Sequence, residues 1–135
     1  MVEKFRLHSM PFAQCHIRIE HDADGSTVEL VSYNTSVCII RDDEHGLNLY
    51  CSGTYSNTTS RHINRFTAEF LQRSYYHECK DALKKDIGSA RFQGFVPVAS
   101  FTESDSEYNQ FHTQIELYEN NNFFDWNVKK YYGYY

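Results

Sequence analysis

The residues of this 135-residue chain best suited to chemistry are its four cysteines and seven histidines. Cys15-His16 and His77-Glu78-Cys79 together offer two thiolates and two imidazoles, the donor set of a Cys2His2 structural zinc site. The spacing is not that of a standard zinc finger. On a strand Cys15 and His16 point to opposite faces, and on an unbroken helix His77 and Cys79 lie about 200° apart, so both pairs need irregular backbone to share a metal. The competing reading makes Cys15 a core residue and His16 and His77 ordinary polar side chains. His8, His21 and His45 are alternative imidazole donors. With no C-x-x-C spacing, Cys15, Cys38, Cys51 and Cys79 otherwise read as free thiols that pack as small hydrophobes in a reducing compartment.

A Cys/His nucleophile pair is compositionally available, but the chain has none of the local signatures of cysteine hydrolases. GxSxG, HExxH, Walker and GxGxxG patterns are absent from the sequence as well, so those reaction classes have no support. The expectation is a protein that is not an enzyme.

Carboxylates are the more suggestive groups. The net charge is −5, unevenly spread. Residues 1–55 carry four Lys/Arg against eight Asp/Glu, residues 56–94 seven against four, and residues 95–135 two against six. An acidic total disfavours direct nucleic-acid binding, which draws on clustered cations releasing counterions. A basic protein surface is the expected partner. From Phe95 to Val128 six acids, Glu103, Asp105, Glu107, Glu116, Glu119 and Asp125, are interleaved with aromatics including Trp126, with no Lys or Arg between them. Carboxylates so spaced can occupy arginines that otherwise grip phosphate, while aromatics supply desolvated anchors. The competing reading is a solvated acidic surface. Arg61, Arg65 and Arg73 on the basic segment read as the solvated face of a helix.

The elements that position these groups belong to one domain, residues 1–135, of α+β class: a small antiparallel sheet of hairpins packed against one or two helices. Cys15, Ile17 and Ile19 alternate with His16, Arg18 and Glu20 as in a half-buried strand. Asp22-Ala23-Asp24-Gly25-Ser26 then supplies a turn, and Thr27 to Ser32 returns as the second strand of a hairpin. Thr35 to Ile40 and Leu47 to Cys51 make a second hairpin. If it closes between Glu44 and His45, Ile40 faces Leu49 and Cys38 faces Cys51 across the strands. Tyr55 to Ser60 is a helix-capping cluster, followed by Ile63, Phe66 and Phe70 on one helical face, with His62 beside them. Tyr75 to Ile87 is helix-compatible, stopping at Gly88, either as a continuation or as a second helix. Phe92 to Phe101 reads as a strand confined to an edge by Pro97. Phe111 to Tyr118 alternates in part and is expected as a last strand. The eight aromatics of Tyr118 to Tyr135 form either a packed lid or a contact surface. No membrane span or apolar leader pattern is present, so a cytosolic protein is expected.

Ser32-Tyr33-Asn34-Thr35-Ser36-Val37 and Tyr55-Ser56-Asn57-Thr58-Thr59-Ser60-Arg61-His62-Ile63, in that order, resemble a small domain of uncharacterised function common in phages and other mobile elements of Gram-positive bacteria. Its pattern is S-Y-x-T-x-V on a strand, then Y-S-x-T-T-x-x-H-I leading a helix. In that reading Thr58 or Thr59 caps the helix, Tyr55 and Ile63 pack, and Ser56 and His62 satisfy backbone groups. Small acidic phage proteins of this sort include anti-CRISPR inhibitors of type II Cas9 nucleases. The resemblance therefore implies a phage-encoded inhibitor in the bacterial cytoplasm that binds Cas9 and blocks nucleic-acid engagement. A zinc-stabilised interaction module, or a small Cys/His hydrolase, is the alternative.

Overall fold

The computed structural model describes residues 2–53, 56–85 and 92–120. Six strands form one antiparallel sheet in chain order: β1 (Val2–Phe5), β2 (Cys15–His21), β3 (Ser26–Ser32), β4 (Thr35–Asp43), β5 (Gly46–Cys51) and β6 (Val96–Phe101). Three helices, α1 (Asn57–Leu71), α2 (Tyr76–Lys85) and α3 (Ser106–Asn120), share one hydrophobic cluster with the sheet. The α+β class and the hairpin sheet are as expected, with three helices among the described residues where one or two were expected.

The β4–β5 register is the one anticipated. Glu44 and His45 form a two-residue loop between Asp43 and Gly46, which places Ile40 opposite Leu49 and Cys38 opposite Cys51. Gly46 sits at φ 89°, a conformation that a β-carbon disfavours. Phe5, Ile17, Leu30, Cys38, Cys51 and Val96 consequently line up across all six strands on the inward face. A bulge between Leu30 and Val31 leaves Val37 as the extra residue of β4. The β2–β3 turn passes so close to β4 that a β-carbon on Gly25 would meet the Asp42 carbonyl oxygen at 1.9 Å. Only glycine permits that approach.

Helix α1 presents Ile63, Phe66 and Phe70 inward, all fully buried, and Arg61 and Arg65 outward. Its cap is Ser56, whose Oγ accepts from the Thr59 N–H at 3.1 Å; Thr58 and Thr59 lie inside the helix. That corrects the expected Thr58 or Thr59 cap. The helix ends at Gln72, left-handed at φ 73°, and α2 starts afresh. Thr67 fastens this break: its hydroxyl donates to the Ile63 carbonyl at 2.8 Å and accepts from the Tyr75 N–H at 2.9 Å. Strand β6 is an edge, as Pro97 required.

The expected last strand is instead helix α3. Phe111, Ile115 and Tyr118 are spaced by four and three residues, which puts them on one helical face, and all three are buried. Partial alternation across eight residues was the weaker signal. Expectations for Tyr55, Gly88 and the aromatic segment after Asn120 lie outside the described residues.

Helix α3 packs on α1, and Tyr118 ties both to the segment after β1. Its hydroxyl donates to Glu69 Oε1 at 2.5 Å and accepts from the His8 N–H at 2.7 Å, while the His8 ring stacks on the Tyr118 ring at 3.5 Å. Glu69 also receives the Ser9 N–H at 2.9 Å and the Ser9 hydroxyl. Replacing Tyr118 by Phe leaves this carboxylate and amide one partner short. A loss of about 1–3 kcal/mol is expected from the urea midpoint at constant m-value. Burial lowers the His8 imidazole from 6.5 to about 4. Between these values the unfolded chain binds the proton and the folded chain does not, so stability is complete above pH 6.5 and falls as pH drops toward 4. His8→Phe keeps the stack and should flatten that part of the stability–pH curve; buried His62 and the partly buried His16, also lowered, leave a residual slope.

Candidate functional site

The motif residues meet at one end of the sheet. Ser32, the last residue of β3, is hydrogen-bonded through Oγ to Thr59 Oγ1 at 2.9 Å and to His62 Nδ1 at 2.8 Å, and the Ser56 hydroxyl donates to Thr59 Oγ1 at 3.2 Å. A hydroxyl bonded to an imidazole is the beginning of a nucleophilic site. Here, however, Ser32 is 3% exposed and His62 1%, and burial lowers the imidazole pKa. Neither group can meet a substrate. The network instead supplies partners for polar groups at the junction of α1 and the sheet. His62 does satisfy a polar neighbour, but that neighbour is the Ser32 side chain, where backbone was expected. Tyr33, in the β3–β4 turn at φ 56°, remains 51% exposed beside the His62 ring.

The expected zinc ligands are dispersed. Cys15 faces the core opposite Ser32, and its thiol is pushed up to about 12, first by burial and then by the Glu69 charge. His16, its neighbour on the strand, points to the other face, where burial and then Lys4 and Arg18 lower its pKa. His77 is exposed on α2, whereas Cys79 is fully buried beside Cys38 and Cys51. Strand and helix periodicity thus separate the members of each pair, and among the described residues no group of three or more His, Cys, Asp or Glu side chains could hold a metal ion.

The expected partner-binding acids divide by environment. Asp105 closes the turn before α3 by accepting the Thr102 N–H at 2.7 Å. Glu107 accepts from the Tyr75 hydroxyl at 3.4 Å, and Glu119 pairs with His21 Nε2 at 2.8 Å. Glu116 is exposed on α3. Asp125 and Trp126 lie outside the described residues. Glu103 is exposed and lines a cleft of about 600 Å³.

That cleft lies where the β2–β3 turn, the β4–β5 turn and the β6–α3 connection converge, and its described lining holds Asp24, Asp42, Asp43, Glu44 and Glu103 with no Lys or Arg. Asp42 is held by His112 Nε2 at 2.7 Å and lies near Tyr108, whose hydroxyl pKa is raised, first by burial and then by the Asp42 and Glu103 charges. Arg41 lies on the other sheet face, 7% exposed, donating to Asp22 at 2.7 and 3.0 Å and to Asp43 at 3.1 Å. Its guanidinium holds the Asp22 carboxyl far below the usual range. Asp24, Glu44 and Glu103 reach solvent and no arginine or lysine pairs with them among the described residues. The cleft therefore has an acidic rim that can accept a cationic group in several hydrogen-bonding directions. Sequence reasoning found Glu103 but not its neighbours. Their grouping comes from the assembled sheet, in which alternate turns of the meander lie at the same end and both turns at this end are acidic.

No curated protein and no solved structure matches the chain. Residues 9–86, more than half of it, match a protein family of unknown function. That span runs from the segment after β1 to the end of α2 and contains the Ser32–Thr59–His62 junction as well as both acidic turns of the cleft. The chain belongs to this family, DUF8033.

Proposed function

We propose that this chain is a non-catalytic binding protein that seats cationic side chains of a protein partner in the carboxylate-lined cleft at the turn end of its sheet. The observation that carries this reading is the cleft itself, with five carboxylates and no Lys or Arg in its described lining. A guanidinium is planar and offers five donors, so it can engage carboxylates from two turns at once. The absence of a reaction is supported by the position of the nucleophiles: the Ser32 hydroxyl and all four thiols are buried.

An acidic surface that occupies phosphate-gripping arginines competes directly with nucleic acid. Joined to the motif resemblance, this makes the chain a phage-encoded inhibitor acting in the host cytoplasm on a defence nuclease, with a type II Cas9 as its target. The net charge of −5 favours capture by a basic channel.

Cleavage by purified Cas9 and guide, titrated with the full chain, tests the reading. Cleavage should fall as the chain is added, and less steeply as salt is raised. The variant carrying Asp24→Asn, Glu44→Gln and Glu103→Gln changes only exposed side chains and should inhibit roughly tenfold less well. Unimpaired cleavage at a large molar excess would remove Cas9 as the target, and equal inhibition by the triple variant would remove the cleft from the mechanism.

A further inference from the structure

Three of the four thiols converge in the core, far from the acidic cleft. Cys38 and Cys51 are register partners on β4 and β5, and Cys51 Sγ donates to the Cys79 carbonyl at 3.6 Å, while the Cys79 thiol is hydrogen-bonded to both strand cysteines. All three are fully buried. Cys15 sits apart, in the neighbourhood of Glu69 and Arg6.

The hairpin decides what this cluster can do. A two-residue loop makes Asp43 and Gly46 a hydrogen-bonded pair, and pairs along an antiparallel ladder alternate between bonded and non-bonded. Cys38–Cys51 is the fifth pair beyond Asp43–Gly46 and so is a non-bonded pair. The next position agrees, since the Ser52 N–H donates to the Val37 carbonyl at 3.1 Å. Non-bonded partners have Cα atoms about 4.5 Å apart, inside the range of roughly 4.4–6.8 Å that a disulfide spans.

The geometry points to Cys38 and Cys51 as a disulfide-forming site covered by Cys79 of α2. The oxidant is a peroxide. One thiolate attacks a peroxide oxygen, so that an S–O bond forms, the O–O bond breaks and the departing hydroxide takes up a proton as water. The second sulfur then attacks the sulfenic sulfur; the S–S bond forms, the S–O bond breaks and a second water leaves. The two thiols lose two electrons and two protons in all, and one hydrogen peroxide becomes two waters.

Cys79 sets the rate. It is the one buried residue of α2, so displacement of this helix by local opening uncovers the pair. The contact with Cys38 and then burial raise the pKa of its own thiol against the opposing effect of Cys51, which makes it the poorer nucleophile.

The test treats the full folded chain with hydrogen peroxide, then quenches, denatures, alkylates and maps peptides by mass. Two of the four thiols should become unavailable to alkylation, and the intact mass should fall by two hydrogens. A single linked peptide should join Cys38 to Cys51, with Cys15 and Cys79 alkylated. Cys79→Ala should speed the linkage severalfold and Cys38→Ala should abolish it. Four free thiols at peroxide levels that oxidise a free thiol peptide, or a linkage through Cys79 or Cys15, would overturn the assignment. So would an unchanged rate in Cys79→Ala. The wild-type map decides the pairing even if a variant fails to fold.

Discussion

Everything in this molecule depends on the register of the β4–β5 hairpin. A slip of one residue would turn β5 over against β4, bringing Asn48 and Tyr50 inward and turning Leu47, Leu49 and Cys51 out. Burial of Ile40, Leu47 and Leu49 opposes that slip, and so does the turn chemistry at Gly46. The same register delivers two chemically unlike sites. At the turn end it leaves Asp42, Asp43 and Glu44 beside a neighbouring acidic turn, and at the far end it sets two thiols side by side in the core.

The second constraint is the attachment of α1. Phe66 and Phe70 dock it by apolar burial, but burial alone does not specify how far the helix slides along the sheet. The Ser32–Thr59–His62 network does, because each of its hydrogen bonds is lost on displacement and a buried polar group without a partner costs about 1–3 kcal/mol. Helix α3 packs on α1, with Tyr118 and Glu69 joining the two, and it touches the sheet through Tyr118 on Phe5, His112 on Asp42 and Glu119 on His21. Glu103 reaches the cleft from the end of β6, whose Phe101 is paired with Leu47 of β5.

Within the family span the buried polar groups and the exposed carboxylates are different residues. Ser32, Thr59 and His62 of the motif are buried and hold the fold, while Asp24 and Glu44 are exposed on turns. Turns tolerate change in side chain as long as Gly25 and Gly46 keep the backbone course.

What the sequence determined by itself was whatever depends on neighbours a few residues apart: the strand alternation of Cys15 to Ile19, the Cys38–Cys51 pairing through a two-residue turn, the apolar face of Ile63, Phe66 and Phe70, and the edge position of Pro97. The helix over Ser106–Asn120 was equally local, in the spacing of Phe111, Ile115 and Tyr118, but a partial alternation masked it. The tertiary structure alone decided which acids act together. Asp24, Glu44 and Glu103 are far apart in the chain and meet only because a meander returns alternate turns to one end. It also decided that Glu69, on the flank of an amphipathic helix, is tied to Tyr118 and Ser9, and that Cys79 joins the strand cysteines while His77 does not. Such groupings follow from long-range packing, for which single-residue spacing carries no signal.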